Sequence, residues 1–235
     1  MIQFTKAAAY IPDPVRSRPF ITAEDKALAA EDPPYPVRLH CKPWMDGQSV
    51  GWTLFYGYLT SITVVGLENG EFHVENLEQL KAESQVENII MPLVGGYFGI
   101  PATGYTFLTQ PSYISLILPA THAPPGLQLE PGIIETDWYP LEMPAVFKVP
   151  PPGEAVTLDY KMEIARLVPI PRLEAMTLTP MAEDNLTALI ERRQQYIEER
   201  GKYHGKTVQM GVIKQSYKKW SAEFRRNFSP NEEKP

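Results

Sequence analysis

The feature that most constrains the fold is a series of short β-rich runs between Val37 and Pro171, each separated from the next by turn residues. The dipeptide Asn69-Gly70 joins two of these runs, and this pair is typical of a tight hairpin. Many short strands at such intervals predict a mainly β sandwich or barrel. The runs are VRLHC, GWTLFYGYL, ITVVGL, EFHVENL, NIIMPLV, TGYTFLT, YISLILPA, GIIETDWY, AVFKV, AVTLDY and IARLVPIP.

The prolines support this interpretation, because the 24 of them are spread through the chain and are not concentrated in one tail. Prolines placed in this way interrupt or end strands. With 235 residues the chain can bury a full core, and a mainly β chain of this length is usually one domain. We therefore expect one domain with appendages.

Two appendages flank the β-rich region. Residues 1–36 combine apolar residues with six prolines, which predicts an extended arm with one helical turn near Thr22–Asp25. Residues 173–235 predict a helical pair that begins after the cap residues Thr179-Pro180. The chain is thus divided into an N-terminal arm at 1–36, a β core at 37–172 and a C-terminal helical extension at 173–235.

The helical pair is predicted from apolar residues at helical spacing. The first helix can end at Gly201 in left-handed geometry, and the second is expected from about Val208 to Asn227. In the second helix these residues form the stripe that is typical of a helix that packs against a neighbour. The apolar residues are Leu186, Leu189, Ile190 and Ile197 in the first helix and Ile213, Tyr217, Trp220 and Phe224 in the second.

The charge balance limits the classes of partner. The formal charge of −6 gives no general reason to expect binding to nucleic acid or to an anionic membrane. Residues 200–226 differ, with eight basic side chains and one acidic side chain. A basic helix of this kind is a solvated face, or docks on the acidic body of its own or a neighbouring subunit, or contacts phosphates. We expect no nucleic-acid partner.

Other patterns exclude several kinds of site. Cys41 is the only cysteine, so no disulfide can form within the chain. The four histidines form no metal-binding motif, and no phosphate-binding glycine loop or GxSxG turn occurs, so we expect no metal and leave the cofactor open. No apolar run approaches the length of a membrane span, and the N-terminus lacks a continuous apolar segment. We therefore expect a soluble, cytoplasmic protein without a membrane partner.

The segment PGIIETDW, residues 131–138, is the main candidate for chemistry. It places Glu135 and Asp137 on one face of a predicted strand, because strand side chains alternate with a period of two. Trp138 follows directly. A carboxylate beside a ring can act on a flat ligand, because partial desolvation raises its basicity while the ring binds the ligand. The alternative is that both carboxylates are exposed residues of an ordinary strand.

The order of segments from residue 37 to 172 resembles the trimeric dUTP pyrophosphatase and dCTP deaminase superfamily, whose β-clip core carries a GxIDxDY segment and a closing GxRIAQLV-type strand. Residues 164–168, IARLV, stand where the closing strand is expected, and residues 50–54, VGWTL, stand where that superfamily has an AGYDL-like segment. The resemblance implies a dUTPase-like β-clip core, a distorted barrel or sandwich. The places of the GxIDxDY segment are taken by Gly132, Ile134, Glu135, Asp137 and Trp138.

The whole chain also resembles a bacterial family known as a domain of unknown function. That family has a QxxGW segment, a GIVETDW segment, an LVPVPR segment and a basic helix with a tryptophan near the C-terminus. The corresponding segments here are QSVGW at 48–52, GIIETDW at 132–138 and LVPIPR at 167–172. This resemblance implies no reaction.

Several departures argue against the two known superfamily activities. Thr53 replaces the aspartate of the AGYDL-like segment, and residues 119–122 read PATH where an arginine–serine phosphate-binding motif is expected. A triphosphate carries several negative charges, so a site without that arginine has little with which to bind it. The deaminases also need a glutamate in the strand that here reads AVFKV.

We therefore expect a non-catalytic ligand-binding or oligomeric assembly protein on a dUTPase-like core. The expected partners are further copies of the chain, as a trimer on the superfamily resemblance, and a small-molecule ligand. The alternative is an enzyme of altered chemistry, a hydrolase acting on a nucleotide or small metabolite, with Glu135 as general base. The other candidate site residues are Asp137, His122 and Gln48 as polar partners and Trp52 and Trp138 as pocket walls.

Overall fold

The computed structural model describes residues 1–31, 41–172, 180–201 and 219–223. These residues form a mainly β structure with a C-terminal helix, which confirms the predicted fold class. In chain order the strands are β1 (Ile2–Lys6), β2 (Val15–Arg16), β3 (Trp52–Phe55), β4 (Ile62–Gly66), β5 (Phe72–Glu75), β6 (Met91–Leu93), β7 (Tyr97–Ile100), β8 (Tyr105–Thr109), β9 (Tyr113–Pro119), β10 (Gly132–Ile134), β11 (Ala145–Lys148), β12 (Ala155–Leu158) and β13 (Glu163–Pro171). The helices are α1 (Ala23–Ala30), α2 (Lys42–Gln48), α3 (Leu77–Ser84) and α4 (Glu183–Gly201).

The described strands pair in four antiparallel sheets. The largest has the order β10-β9-β13-β3-β2, with β13 at its centre, and β13 pairs with β9 from Ala165 to Pro171. Two three-stranded sheets have the orders β12-β4-β5 and β11-β7-β6, and β1 pairs with β8. β5 and β6 are therefore edge strands of two different sheets.

The chain forms two compact units. The first comprises Met1–Phe20 and Ser49–Glu174 and contains all the described strands together with α3. The second comprises Ile21–Gln48 and Ala175–Pro235 and contains α1, α2 and α4. The division into segments 1–36, 37–172 and 173–235 stays a prediction.

Alternating strand residues build the core of the first unit. In β4, Ile62 and Val64 are fully buried, whereas Thr63 and Val65 are half-buried. Successive strand side chains point to opposite faces, so this alternation places one face of β4 in the core. Phe147 of β11 stacks on a phenylalanine of β7 in the same core, with ring centroids 5.3 Å apart.

The predicted hairpin at Asn69-Gly70 is confirmed. The two residues connect β4 and β5, which are antiparallel neighbours. Both have positive φ values, 60° for Asn69 and 76° for Gly70. Asparagine and glycine are the residues that adopt this left-handed conformation most readily, which explains the turn at this position.

The helical turn predicted near Thr22 is also confirmed, as the start of α1. The Thr22 hydroxyl accepts a hydrogen bond from the Asp25 backbone N–H at 3.0 Å, and the Asp25 carboxylate accepts one from the Thr22 backbone N–H at 2.9 Å. This reciprocal capping box satisfies two backbone donors at the helix start. The elements that the sequence patterns missed are β1, β2, β7, α2 and α3.

The C-terminal helix begins later than predicted. It begins at Glu183, whereas the predicted cap residue Thr179 lies outside the described residues. Its apolar residues, predicted to form one face, are about half exposed, so the described residues do not bury them. These residues are Leu186, Leu189, Ile190 and Ile197.

Two other predictions fall largely outside the described part of the chain. The second C-terminal helix, predicted over residues 208–227, is described only at 219–223, which are helical. There the Trp220 indole donates to Glu199 Oε2 at 2.5 Å. The VRLHC run is described only at Cys41, which is exposed. In the described ranges, every helix is too short or too polar to cross a bilayer.

Candidate functional site

Glu135 and Asp137 lie in a turn that directly follows β10. The strand ends at Ile134, so its predicted continuation through residues 135–138 is wrong. The main chain turns back instead, because the backbone N–H groups of Trp138 and Tyr139 both donate to the Glu135 carbonyl, at 3.1 and 2.9 Å. The carboxylates are therefore presented by a turn at the end of the largest sheet.

A buried hydroxyl cluster anchors this turn. Thr136 is only 2% exposed, and its Oγ1 lies 3.0 Å from Thr109 Oγ1 and 2.9 Å from Ser115 Oγ. The Thr109 backbone N–H also donates to the Thr136 carbonyl at 3.0 Å. These bonds fix the middle residue of the turn against β8 and β9, and they hold the two flanking carboxylates in place.

Arg172 binds both carboxylates. Its Nη1 lies 2.5 Å from Glu135 Oε1, and its Nη2 lies 2.7 and 2.8 Å from the two carboxylate oxygens of Asp137. The Arg172 backbone N–H donates to the Ser112 carbonyl at 2.6 Å, which positions the side chain. A planar guanidinium has several donors in a fixed arrangement, so one arginine can bind two carboxylates. We call Glu135, Asp137 and Arg172 the arginine clasp.

The clasp lowers the pKa of both carboxylates. For Glu135 the main cause is the hydrogen bond from Arg172, followed by the hydrogen bond from the Trp138 indole. For Asp137 the main cause is again the hydrogen bond from Arg172, which outweighs the opposing effect of desolvation. Both groups are therefore ionised at neutral pH and are weaker bases than ordinary carboxylates.

The Trp138 ring is the exposed part of this region. Its side chain is anchored at one end, because the indole Nε1–H donates to Glu135 Oε2. The residue is 61% exposed, and its ring meets Tyr139 edge-on, with centroids 6.0 Å apart. An anchored and exposed ring can stack on a flat ligand.

The other three candidate residues lie on other elements. Trp52 lies on β3, where the Arg16 guanidinium stacks 4.1 Å from its ring centroid. His122 follows β9, and its Nδ1 lies 3.1 Å from Glu163 Oε1 at the start of β13. Gln48 ends α2 in the other compact unit. The structure thus brings together three candidates, Glu135, Asp137 and Trp138.

His122 and the clasp lie at opposite ends of the same strand pair. β9 and β13 run antiparallel, with Ala165 opposite Pro119 and Pro171 opposite Tyr113. Arg172 extends β13 at the Tyr113 end, whereas His122 lies beyond Pro119. The six residue-to-residue steps from Tyr113 to Pro119, at roughly 3.3 Å each, separate the two ends by about 20 Å. His122 therefore cannot act as a direct polar partner of Glu135 in this conformation.

Arg172 is the functional residue that the sequence patterns did not identify as part of the site. It ends the LVPIPR segment, and its signals were its match to the arginine of the LVPVPR segment and its place directly after a predicted strand. Its position beside the carboxylates depends on the register of β13 against β9 and of β9 against β10, where Ile134 pairs with Ser115. The spacing of residues in the sequence does not determine the register between these strands.

No metal-binding cluster of three or more histidine, cysteine, aspartate or glutamate residues occurs within the described ranges. A cavity of about 1010 Å³ lies elsewhere in the first unit, between β5 and α3 on one side and β6 on the other. It is lined by residues 69–79, Ile90 and residues 92–96. None of the six candidate site residues lines it.

No protein-family model matches the sequence, and a search of curated proteins finds no match, so the resemblance to the bacterial family stays a prediction. A comparison with solved structures matches the EIAV dUTPase in its native form, with a TM-score of 0.36 and 10% sequence identity. The match covers 78% of this chain and 98% of the dUTPase chain. At these values the similarity carries no argument about the site, and the mainly β fold rests on the strands and sheets themselves.

Proposed function

We propose that the protein is non-catalytic and acts by binding and assembly. The observation that carries this proposal is the arginine clasp, in which both candidate catalytic carboxylates bind one guanidinium. A general base needs a lone pair that can reach the substrate and a pKa near the working pH. Arg172 occupies carboxylate oxygens of both groups and lowers both pKa values, so the clasp suits a structural role better than proton transfer.

The surroundings of Thr53 support the same proposal. Thr53 stands where the resembling superfamily has an aspartate, and it is 1% exposed. Its hydroxyl donates to Ser17 Oγ at 3.1 Å inside the sheet. Thr53 is thus a buried hydroxyl with its hydrogen bond made inside the protein, and it does not provide the carboxylate that the aspartate provides in that superfamily.

Exposed apolar side chains near the clasp support the assembly part of the proposal. Leu108 of β8, Ile133 of β10 and Trp138 are each more than half exposed. Their elements are connected through the hydrogen bonds between Thr109 and Thr136. Large apolar side chains in one region of a surface often mark a protein contact. We propose that this region joins copies of the chain in a homo-oligomer, with three copies as the preferred number.

Nucleotide turnover tests the non-catalytic part. Purified protein and its Glu135→Gln variant are each incubated with dUTP or dCTP and magnesium, and the phosphate species are followed by ³¹P NMR. We expect no turnover by either protein, because Arg172 binds both candidate bases. Turnover by the wild type that disappears in Glu135→Gln would overturn the proposal in favour of the hydrolase alternative. Equal turnover in both would also overturn the non-catalytic proposal, with a base other than Glu135.

The Trp138 ring is the proposed contact for a small flat ligand. A thermal-shift screen with nucleotides and small metabolites, run on wild type and on Trp138→Ala, tests this contact. A ligand that binds the native state raises the melting temperature by mass action. We expect such a rise in the wild type and a smaller rise in the variant, whereas equal rises would place the ligand elsewhere.

A further inference from the structure

We propose that the cavity between β5 and β6 binds an extended, basic segment of a partner polypeptide, which adds as a strand to the free edge of β5. We call this cavity the β5 groove. The inference rests on the proposed binding role and names the partner by its chemistry. Four observations carry it: the free strand edges, the direction of their backbone groups, the charge of the lining and the alternation of its side chains.

The edge of β5 is open to a further strand. β5 pairs with β4, and no strand of the described chain pairs with its other edge. The Leu67 backbone N–H donates to the Glu71 carbonyl at 2.8 Å, so Glu71 faces β4. Backbone groups of an antiparallel strand alternate in direction, so those of Phe72 and Val74 point away from β4 and toward the groove. Two N–H groups and two carbonyls are thus directed at an incoming strand.

The opposite wall of the groove does not offer the same template. β6 pairs with β7 alone among the described strands, and its central residue is Pro92. The Val149 backbone N–H donates to the Gly96 carbonyl, so the backbone of Gly96 points away from β6. Backbone groups alternate along β7, so those of Phe98, the partner of Pro92, also point away from β6. Pro92 therefore faces the groove and has no N–H to donate. An added strand can form its ladder with β5 only.

The charge of the groove selects a basic partner. Its lining contains Glu71, Glu75 and Glu78 and no lysine or arginine. Glu78 forms an ion pair with Lys81 at 3.0 Å, whereas Glu71 and Glu75 are exposed and have no ion pair within the described chain. Acidic groups in a concave site attract cationic ligands and disfavour anionic ones.

The two faces of β5 determine where the basic residues of the partner lie. Phe72 and Val74 point toward the core, whereas His73 and Glu75 are exposed. In an antiparallel pair, residues directly opposite each other share a face. Partner residues opposite Phe72 and Val74 therefore meet apolar side chains, and those opposite Glu75 meet a carboxylate. The preferred segment alternates apolar and basic residues.

A capped seven-residue peptide of alternating lysine and valine, labelled with a fluorophore, provides the probe. Its binding to the full chain is measured by fluorescence anisotropy at about 50 mM and about 300 mM salt, and we expect weaker binding at the higher salt. The double variant Glu71→Gln/Glu75→Gln should bind the peptide at least about threefold more weakly, since two attractive charges are lost. Glu130→Gln, an exposed glutamate outside the groove, is the matched control and should bind like wild type.

Backbone methylation of the peptide separates strand addition from simple charge attraction. Methyl groups on the valine nitrogens remove the N–H groups that would bond to Phe72 and Val74, and we expect binding to weaken about tenfold or more. Methyl groups on the lysine nitrogens remove N–H groups that point away from β5, and we expect binding to persist. Equal effects of the two methylated peptides would overturn strand addition.

Two further results would also overturn the inference. One is the absence of peptide binding at low salt. The other is a fall in the molecular mass of the protein when the peptide is added. The peptide would then be displacing a second copy of the chain, which would be the natural occupant of the β5 groove. The proposed function fails separately, through nucleotide turnover that depends on Glu135 or through a monomeric mass in the absence of peptide.

Discussion

At the scale of single residues, Arg172 is the partner that holds the two acids of the PGIIETDW segment. A carboxylate pair beside a tryptophan suggests a catalytic site in sequence, whereas in the structure one guanidinium binds both carboxylates. The difference lies in a residue 35 positions from Asp137 in the sequence. Local patterns located the acids, but only the strand register located their partner.

Removal of Arg172 should destabilise the first unit at neutral pH. In Arg172→Met, Glu135 and Asp137 keep their charges and lose the group that holds them together, so we expect a lower midpoint of urea denaturation at pH 7. Arg192→Met on the exposed face of α4 is the matched control and should unfold like wild type. An unchanged midpoint in Arg172→Met would show that the clasp does not stabilise the fold.

The same variant should reveal a pH dependence of defined sign. The folded-state pKa values of Glu135 and Asp137 are lowered, so their stabilising contribution is present above the unfolded values, near pH 4, and is lost as the pH falls through the lower folded values. The difference in denaturation midpoint between wild type and Arg172→Met should therefore be full at pH 7 and shrink below about pH 4. A difference that grows on acidification would contradict the clasp.

At the scale of elements, the main strands and the β4–β5 hairpin were predictable because their causes are local. Alternation of apolar residues and the Asn69-Gly70 turn depend on neighbours in the sequence. The end of β10 was not predictable, because it depends on hydrogen bonds from the Thr136 hydroxyl to Thr109 and Ser115 on two other strands. The sequence therefore predicted Glu135, Asp137 and Trp138 as neighbours, but it predicted the wrong local conformation for them.

The start of β3 offers a graded test of backbone geometry. Gly51 has a φ of +85°, and an added Cβ would lie 2.3 Å from the Leu167 carbonyl oxygen on β13. We expect Gly51→Ala to lower the free energy of unfolding by at least about 2 kcal/mol, since left-handed strain and a backbone clash combine. Calorimetric or urea unfolding measures the change.

Two other glycines are the controls for this test. Gly126 has a φ of +84° but open space around its Cβ position, so Gly126→Ala should cost about 1 kcal/mol from strain alone. Gly132 has open space and an ordinary φ, so Gly132→Ala should be close to neutral. An order other than Gly51, Gly126, Gly132 would contradict this geometry.

At the scale of the whole molecule, assembly is the property that the sequence could least determine. The two compact units are visible in the structure, but they combine segments that are distant in sequence, which composition shifts alone do not indicate. The expected trimer came from the superfamily resemblance. The contact that we propose between copies contains the exposed side chains of Leu108 and Ile133.

Light scattering of the purified chain tests this location. We expect a mass of about three times 26.6 kDa for the wild type, and a mass near 26.6 kDa for the double variant Leu108→Ser/Ile133→Ser, because polar groups at a contact weaken it. Leu59→Ser is the control, since Leu59 is 58% exposed and lies outside this region. A single-chain mass for the wild type would overturn the assembly proposal.

Pro92 limits how many strands can add in the β5 groove. A strand that adds to β5 extends the sheet of β5 but cannot join it to the sheet of β6. Pro92 leaves the β6 wall without the N–H that a continuous ladder requires. Guest strands would therefore dock one per molecule, as a stoichiometric cap. At this edge Pro92 would also disfavour the extension of concentrated protein edge to edge into fibres.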